Sequence, residues 1–157
     1  MKLNIFIDGG SRGNPGRGAC AAVLLDAKGA VVKEEGKYLG HCTNNFAEYN
    51  GLLLALSAAA KLGAAELKVF SDSELLVKQF SGEYRIKDPA LKGLMAEIKV
   101  LASGFKKVTL SHVRREQNEH ADLLVNEILD AARNAPAPAA KSKAPERGQG
   151  PYQPDLF

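Results

Sequence analysis

Four acidic residues fall at positions where a folded sheet could gather them. Two follow predicted strands, one lies near the start of the first predicted helix and one lies in the last helix: Asp8, Asp72, Glu48 and Asp122. Carboxylates gathered at one edge of a sheet repel each other, which raises their pKa values. A hard divalent cation relieves the repulsion, because Mg²⁺ and Mn²⁺ prefer oxygen ligands. The four acids therefore predict a divalent-metal site.

Each of these acids, taken alone, also fits a purely structural role. Asp8 precedes a glycine, and Asp-Gly is a common turn dipeptide. Glu48 stands three residues after an asparagine, so it could complete a capping box. Asp72 could cap the helix that follows it, and Asp122 could be an exposed helical acid. Only the four together, with their flanking residues, favour a functional site.

The elements that must position these acids follow from hydrophobic period and turn residues. Strands are predicted over residues 3–8, 19–25, 30–39, 66–70 and 108–113, and helices over 46–62, 73–80, 89–102 and 118–133. Residues 9–18 are too rich in glycine and proline for regular structure. The first three strands form an antiparallel meander, and right-handed crossovers join the later ones. This order predicts an α/β fold: a mixed five-stranded sheet, three antiparallel strands then two parallel, with helices on both faces.

Composition describes one ordinary globular domain. The chain has 157 residues, of which 45% are hydrophobic and 25% charged, and no apolar run is long enough to span a bilayer. Its first residues lead into a strand without a signal region, so we expect a cytoplasmic protein and no membrane partner. Cys20 and Cys42 are expected to be reduced, semi-buried thiols. A net charge of +3 neither indicates nor excludes nucleic acid.

Four motifs, in order along the chain, resemble ribonuclease H of type 1. The stretch Asp8–Gly18 (DGGSRGNPGRG) is similar to the family's first-strand motif, and Thr43–Glu48 (TNNFAE) is similar to its first helix start. Ser71–Ser73 (SDS) matches the segment after the fourth strand, and His112–Asp122 resembles the segment that supplies the last acid. The resemblance covers residues 1 to about 133 and is closest to the compact archaeal and plant-like branch.

This resemblance implies an activity as well as a ribonuclease H-like fold. Such enzymes cleave the RNA strand of an RNA–DNA hybrid with two Mg²⁺, for which Mn²⁺ can substitute, and leave 5′-phosphate and 3′-hydroxyl ends. Asp8, Glu48, Asp72 and Asp122 would hold the cations, and Glu48 would also contact a ribose 2′-hydroxyl. His112 would assist product release or proton transfer, and a packed structural histidine is its competing interpretation. The expected physiological role is removal of RNA primers or R-loops.

The resemblance also implies a set of substrate contacts along the hybrid. Expected contacts are Gly9, Gly10, Gly13, Asn14, Thr43, Asn44, Asn45, Glu74 and Asn118, with Thr43 on a phosphate of the DNA strand. Turn and cap chemistry is the alternative for the two adjacent asparagines. The segment formed by residues 81–88 is shorter than in many bacterial members, and the chain contains no tryptophan. Arg85 and Lys87 could provide part of the DNA binding that the longer segment gives in those members, or they could be solvated loop charges.

The last 24 residues differ in composition from the rest. Residues 134–157 are rich in alanine and proline, which predicts a disordered linker after a catalytic domain over 1–133. The terminal QPDLF resembles the peptide that binds the bacterial DNA sliding clamp, with Gln153, Asp155, Leu156 and Phe157 as the expected contacts. The alternatives are that the tail folds back onto the domain or has no role.

Two other functions compete with a hybrid-specific endoribonuclease. The first is another nuclease of the same fold, such as a junction resolvase or a 3′–5′ exonuclease. The glycine-rich segment and the Thr-Asn-Asn motif count against it, because those features are suited to reading a hybrid. The second is a non-catalytic hybrid-binding module, whose expected mark is the loss of an acid. All four acids are present.

Overall fold

The computed structural model describes residues 1–134 and confirms the predicted α/β architecture. The strands are β1 (Lys2–Gly13), β2 (Gly16–Leu25), β3 (Val31–Cys42), β4 (Glu66–Ser71) and β5 (Lys107–His112). The helices are α1 (Asn44–Lys61), α2 (Glu74–Ser81), α3 (Pro89–Ala102) and α4 (Glu119–Asn134), with a 3₁₀ turn at Arg115–Gln117. The sheet order is β3-β2-β1-β4-β5. Strands β1–β3 pair antiparallel, whereas β1–β4 and β4–β5 pair parallel.

Helices cover both faces of the sheet, as predicted. On one face, Ile5 and Leu24 of the sheet pack with Leu52 of α1 and Ile98 of α3 in the larger hydrophobic cluster. On the other face, Val125 and Leu129 of α4 pack against small alanines of β2. The alternation of side chains along β2 therefore supplies both cores.

Two further sequence expectations can be compared with the described residues. Cys20 and Cys42 are buried free thiols, and burial raises the pKa of Cys20 to about 12 and that of Cys42 to about 11. Within residues 1–134, no helix combines the length and the apolar character needed to cross a bilayer. The predicted linker begins at Asn134, which the structure places as the last residue of α4. The rest of the linker and the clamp-binding peptide, with Gln153, Asp155, Leu156 and Phe157, lie outside the described residues.

The prediction that residues 9–18 lack regular structure is wrong. Strands β1 and β2 form one long hairpin whose pairing runs from Asn4 opposite Leu25 to Gly13 opposite Gly16. Only Asn14 and Pro15 form the turn, with a cis peptide bond between them. At Gly9 another backbone passes close to the strand, which local composition does not reveal.

The close approach occurs where α1 crosses β1. A Cβ atom on Gly9 would lie 2.3 Å from the backbone oxygen of Ala47, and one on Gly51 would lie 2.9 Å from the backbone oxygen of Asp8. Glycine on both elements thus lets the helix backbone rest directly on the strand backbone. Since Glu48 follows Ala47, this contact brings Glu48 towards Asp8.

Replacing Gly9 with alanine should therefore destabilise the fold. We expect Gly9→Ala to lower the free energy of unfolding by about 1–3 kcal/mol, because the new methyl group must push α1 away from β1. Gly10→Ala is the matched control, since its Cβ would meet nothing nearer than Asn44 Oδ1 at 3.8 Å. Urea unfolding measures both variants, and equal stability of the two would contradict the proposed contact.

Candidate active site

The structure brings the four predicted acids together at one end of the parallel strand pairs. Pairing of β1 with β4 ends at Ile7 opposite Ser71, so Asp8 and Asp72 are the next residue on each strand. The Asp8 side chain forms a hydrogen bond with Asp122 of α4 and interacts electrostatically with Asp72. Glu48 of α1 lies close enough to these acids that the charge of Asp72 contributes to raising its pKa. The prediction that Asp8 ends its strand is wrong, because β1 continues to Gly13. Asp8 is instead the first residue beyond the parallel pairing of β1 with β4.

Burial and mutual repulsion strongly perturb two of these carboxyl groups. Burial, together with the charges of Asp72 and Asp122, raises the pKa of Asp8 to about 8. Burial also raises the pKa of Glu48 to about 7, helped by Asp72 and opposed by a hydrogen bond with Ser73. Both groups therefore carry an electrostatic penalty when ionised.

The structural alternatives for Glu48 and Asp72 are not supported. Helix α1 begins at Asn44 and its cap is Thr43, whose hydroxyl accepts a hydrogen bond from the Phe46 N–H at 3.1 Å. Glu48 therefore lies beyond the position that a capping box requires. Helix α2 is capped by Ser73, which accepts from the Leu76 N–H at 3.2 Å. Asp72 is thus free of the capping role, which its neighbour performs.

Asn118 supports the acidic group from beneath. Its side-chain nitrogen donates to the Ile7 carbonyl at 2.8 Å and lies 3.4 Å from Asp72 Oδ2. Asn118 is only 1% exposed, and its expected substrate contact stays a prediction. Its Oδ1 atom is buried and has no hydrogen-bond partner in the described chain. The residue ties the end of β1 to the acid after β4.

Two other polar residues near the acids were not predicted as site residues. Ser73 hydrogen-bonds with Glu48 while capping α2. Asn126 donates to the Asp122 backbone oxygen at 3.0 Å and approaches Asp122 Oδ2 at 3.4 Å. Its spacing of four residues from Asp122 on one helix was the available signal. For Ser73, the signal was its place beside Asp72.

The donor set fits a hard cation, although it is not a closed cage. No three His, Cys, Asp or Glu side chains within residues 1–134 form a preformed metal-ligand set. The four carboxylates are instead neighbours whose charges oppose one another. Oxygen-only donors with unfavourable negative charge suit a divalent cation such as Mg²⁺ or Mn²⁺.

Beside the acids, hydrogen bonds join the β1–β2 hairpin to the start of α1. The Ser11 N–H donates to Asn44 Oδ1 at 2.8 Å, and the Asn44 N–H donates to Asn14 Oδ1 at 3.1 Å. Gly10 and Gly13 lie on the accessible part of this hairpin, whereas Gly9 is buried against α1. The close approach at Gly9 is to helix α1, and its expected substrate contact stays a prediction.

A cavity of about 450 Å³ opens next to this junction. It is lined by Asn14, Thr43, Asn45, Gln79, Arg85, Ile86, Lys87, Asp88 and Leu91. Three of the predicted substrate contacts and both loop cations thus share one concave surface. Gln79 and Asp88 were not predicted to lie there, because their place depends on how α2 and α3 pack.

Two predicted site residues not yet described, His112 and Glu74, are exposed. His112 lies at the end of β5, opposite Ser71, so it is not a packed structural histidine. His120, which was not predicted as a site residue, is also exposed and pairs with Glu34 of β3 at 2.5 Å. Glu74 is mostly exposed in the first turn of α2 and forms an ion pair with Lys78 at 3.3 Å.

Comparison with known proteins gives consistent matches. Residues 6–128 match the family model described as reverse transcriptase-like. A bifunctional protein of Mycobacterium tuberculosis is 44% identical over 138 residues, which is 87% of this chain but 38% of that protein. The chain therefore spans well under half the length of that relative.

Two solved structures have the same fold. The crystal structure of RNase H1 from the archaeon Halobacterium salinarum superposes with a TM-score of 0.82 at 41% identity, covering 84% of this chain and 100% of that one. The crystal structure of LC11-RNase H1 in complex with an RNA/DNA hybrid gives a TM-score of 0.81 at 39% identity, covering 84% and 99%.

The raised pKa values predict how stability depends on pH without a divalent cation. A carboxyl whose pKa is higher in the folded state than in the unfolded state favours folding when protonated. Its stabilisation is lost as pH rises from about 4 towards the folded value of about 8 for Asp8. In EDTA at pH 8.5, Asp8→Asn should therefore raise Tm by at least about 3 °C, or roughly 1 kcal/mol in a domain of this size.

Thermal unfolding at pH 5 and pH 8.5 measures this effect. The gain from Asp8→Asn should shrink at pH 5, where the wild-type carboxyl is protonated. Glu97→Gln on the exposed face of α3 is the control, and its Tm should follow the wild type at both pH values. A loss of Tm for Asp8→Asn that is equal at both pH values would contradict the repulsion among the acids.

Proposed function

The chain belongs to the ribonuclease H type 1 family, and we propose that it is an endoribonuclease that hydrolyses the RNA strand of RNA–DNA hybrids. The observation that carries the proposal is the group of four carboxyls at the end of the parallel strand pairs, two of which have strongly raised pKa values. The proposed products are a 5′-phosphate and a 3′-hydroxyl, and the proposed role is removal of RNA primers or R-loops.

We propose that Asp8, Glu48, Asp72 and Asp122 hold two divalent cations, with Mg²⁺ preferred and Mn²⁺ as a substitute. When bound, such cations supply an activated water and stabilise the leaving oxygen. Asp8 is central among the acids, since both Asp72 and Asp122 act on its charge. Ser73 and Asn118 orient Glu48 and Asp72 through hydrogen bonds. The imidazole of His112, which is exposed at the end of β5, would exchange a proton with the departing product.

Recognition of the hybrid is assigned to the surface between the hairpin and α1. Gly10 and Gly13 expose hairpin backbone, and Asn44 stands at the start of α1 on the same side as Glu48. Glu48 and its neighbours there would read the ribose 2′-hydroxyl, the group that distinguishes RNA from DNA. The hybrid bound in the LC11-RNase H1 crystal structure supports a hybrid as the ligand of this fold.

The DNA strand is assigned to the adjacent cavity. Thr43, Asn14 and Asn45 offer polar groups there, and Arg85 and Lys87 add two positive charges. Phosphate contacts of this kind position a nucleic acid without reading its sequence. The carboxylate of Glu74 lies in α2 beside Asp72, where it replaces a neutral glutamine found in many family members.

A cleavage assay tests the proposed activity. With Mg²⁺ or Mn²⁺, the protein should cut the RNA strand of a labelled hybrid and leave duplex RNA and duplex DNA uncut. Asp8→Asn should lower the rate at least about 100-fold, which corresponds to a loss of about 3 kcal/mol of transition-state stabilisation. Glu97→Gln on exposed α3 is the control and should keep the wild-type rate.

The same assay separates the competing functions. Equal cleavage of duplex DNA would favour another nuclease of this fold over a hybrid-specific one. Tight hybrid binding without cleavage in either metal would favour a non-catalytic module. The position of the cuts on a long hybrid further separates endonucleolytic from exonucleolytic action.

For the terminal QPDLF, we propose binding to the bacterial DNA sliding clamp. Leu156 and Phe157 would fill an apolar pocket, and Gln153 and Asp155 would make polar contacts at its edge. Tethering of this kind raises the local concentration of an enzyme at replicating DNA. The support for this proposal is the sequence of the peptide alone.

Removal of residues 153–157 tests this assignment. The shortened protein should lose binding to an immobilised bacterial clamp, because the apolar anchors are gone, while its hybrid cleavage rate stays the same. Lys141→Ala, elsewhere in the same tail, should bind the clamp like the wild type. Clamp binding that survives the removal of residues 153–157 would refute the assignment.

A further inference from the structure

The loop between α2 and α3 is fixed at both of its ends. Helix α2 ends at Gly82, which has a left-handed conformation with a φ of 86°. The Tyr84 N–H donates to the Lys78 carbonyl at 3.1 Å. At the other end, Asp88 caps α3 by accepting from the Ala90 N–H at 2.8 Å. Between these points lie Arg85 and Lys87, the two cations that line the cavity.

A buried tyrosine holds the middle of this loop through one glutamine. Tyr49 of α1 is 1% exposed, and its hydroxyl donates a hydrogen bond to Gln79 Oε1 of α2. Gln79 Nε2 in turn donates to the Arg85 carbonyl at 3.1 Å. Because the amide oxygen only accepts and the amide nitrogen only donates, the two bonds select one orientation of the Gln79 amide.

The two hydrogen bonds that join Tyr49, Gln79 and Arg85 lead from the buried core to the cavity wall. Tyr49 does not line the cavity, whereas Gln79, Arg85 and Lys87 do. Thr43 and Asn45 line the same cavity, and Thr43 caps helix α1. Tyr49 belongs to that helix. One helix thus contributes polar groups to the cavity and, through Tyr49 and Gln79, holds the loop that carries the two cations.

We propose that Tyr49 and Gln79 are positioning residues for hybrid binding. They hold the Arg85 carbonyl, so that Arg85 and Lys87 stay in the cavity that Thr43 also lines, where the three residues bind a backbone phosphate of the DNA strand. The inference rests on the proposed function, since it assigns that cavity to the hybrid. It accounts for how a short loop, held by few residues, presents its two charges in a fixed place.

A purely structural role for Tyr49 predicts a different result. Helix α2 is also attached independently, because Lys99 Nζ of α3 donates to the Phe80 carbonyl at 2.6 Å. Losing the Tyr49 hydroxyl should therefore leave α2 in place while releasing the loop. If Tyr49 served only the core, Tyr49→Phe would change Tm and leave substrate binding as it was.

The test uses the full chain with Tyr49→Phe and Gln79→Met, which remove the hydrogen bonds without adding charge. Tyr49→Phe should raise KM for a labelled RNA–DNA hybrid about fivefold, the effect of losing one hydrogen bond. Gln79→Met removes both bonds and should raise KM at least as much. The change in kcat should stay below about twofold, as expected for a loss of uniform binding. Hybrid Kd, measured by fluorescence anisotropy in EDTA, should rise by the same factor as KM.

Tyr38→Phe is the matched control, since Tyr38 lies on β3 away from the cavity and accepts a bond from Arg17 Nε at 3.4 Å. It should leave KM unchanged. In an Arg85→Ala, Lys87→Ala background, Tyr49→Phe should have no further effect on Kd, because the groups that it positions are gone. An unchanged KM for Tyr49→Phe, or a full effect in that background, would overturn the inference.

The outcomes also distinguish this inference from the proposed function. If the wild-type protein neither cuts nor binds a hybrid, the proposed function fails. If the wild type cuts the hybrid and Tyr49→Phe behaves like Tyr38→Phe, only the positioning role fails. Tm values recorded for all variants show whether each protein is folded at the assay temperature.

Discussion

The structure depends on one electrostatic constraint, which is that several carboxyls share a partly buried position at the end of the parallel strands. Asp8 is only 9% exposed, and the charges of Asp72 and Asp122 act on it. Ionising such a group costs free energy unless a positive charge compensates it. A divalent cation is the compensation that an oxygen-only donor set selects. The fold therefore maintains an unfavourable arrangement in its apo form, as functional sites commonly do.

Several local features are explained by the need to keep this arrangement in place. Glycines at positions 9 and 51 bring the α1 backbone onto β1, which places Glu48 near Asp8. Asn118 connects the end of β1 to Asp72 from the buried side. Serine and threonine cap the two helices that approach the site, which leaves the acids themselves available. Each device uses backbone or small polar groups and therefore adds no charge to the four carboxyls.

Much of this could be predicted from sequence, because the signals were local or formed motifs. Element order followed from hydrophobic period, and α3 was predicted with the bounds that the structure gives. The gathering of the acids followed from strand ends and motif order. The β1–β2 hairpin was missed, because Gly-rich composition indicates a loop and only cross-strand pairing reveals the strands. Asn118 was predicted to contact the substrate, and its burial was not foreseen, because spacing along the chain does not show how deeply a residue is buried.

The cavity and its supporting hydrogen bonds were beyond the reach of sequence reasoning. Gln79 meets Tyr49 only because α1 and α2 pack together, and no pattern along the chain encodes that pair. The sequence left two interpretations open for Arg85 and Lys87, which were DNA binding or solvation as loop charges. The structure places both residues in the lining of the same cavity as Thr43. The position of a lysine in the folded structure, rather than its residue type, decides whether it is only solvated or can bind a phosphate.

The central claim is that buried, mutually repelling carboxyls bind divalent cations, and proton release on binding tests it most directly. Titration calorimetry with Mg²⁺ or Mn²⁺ in buffers of different ionisation enthalpy measures that release. Since the pKa of Asp8 is about 8 and that of Glu48 is about 7, cation binding at pH 7 should expel protons, and the release should fall towards zero at pH 9.5. Cation binding with no proton release at pH 7, or an undiminished affinity in Asp8→Asn, would contradict the account.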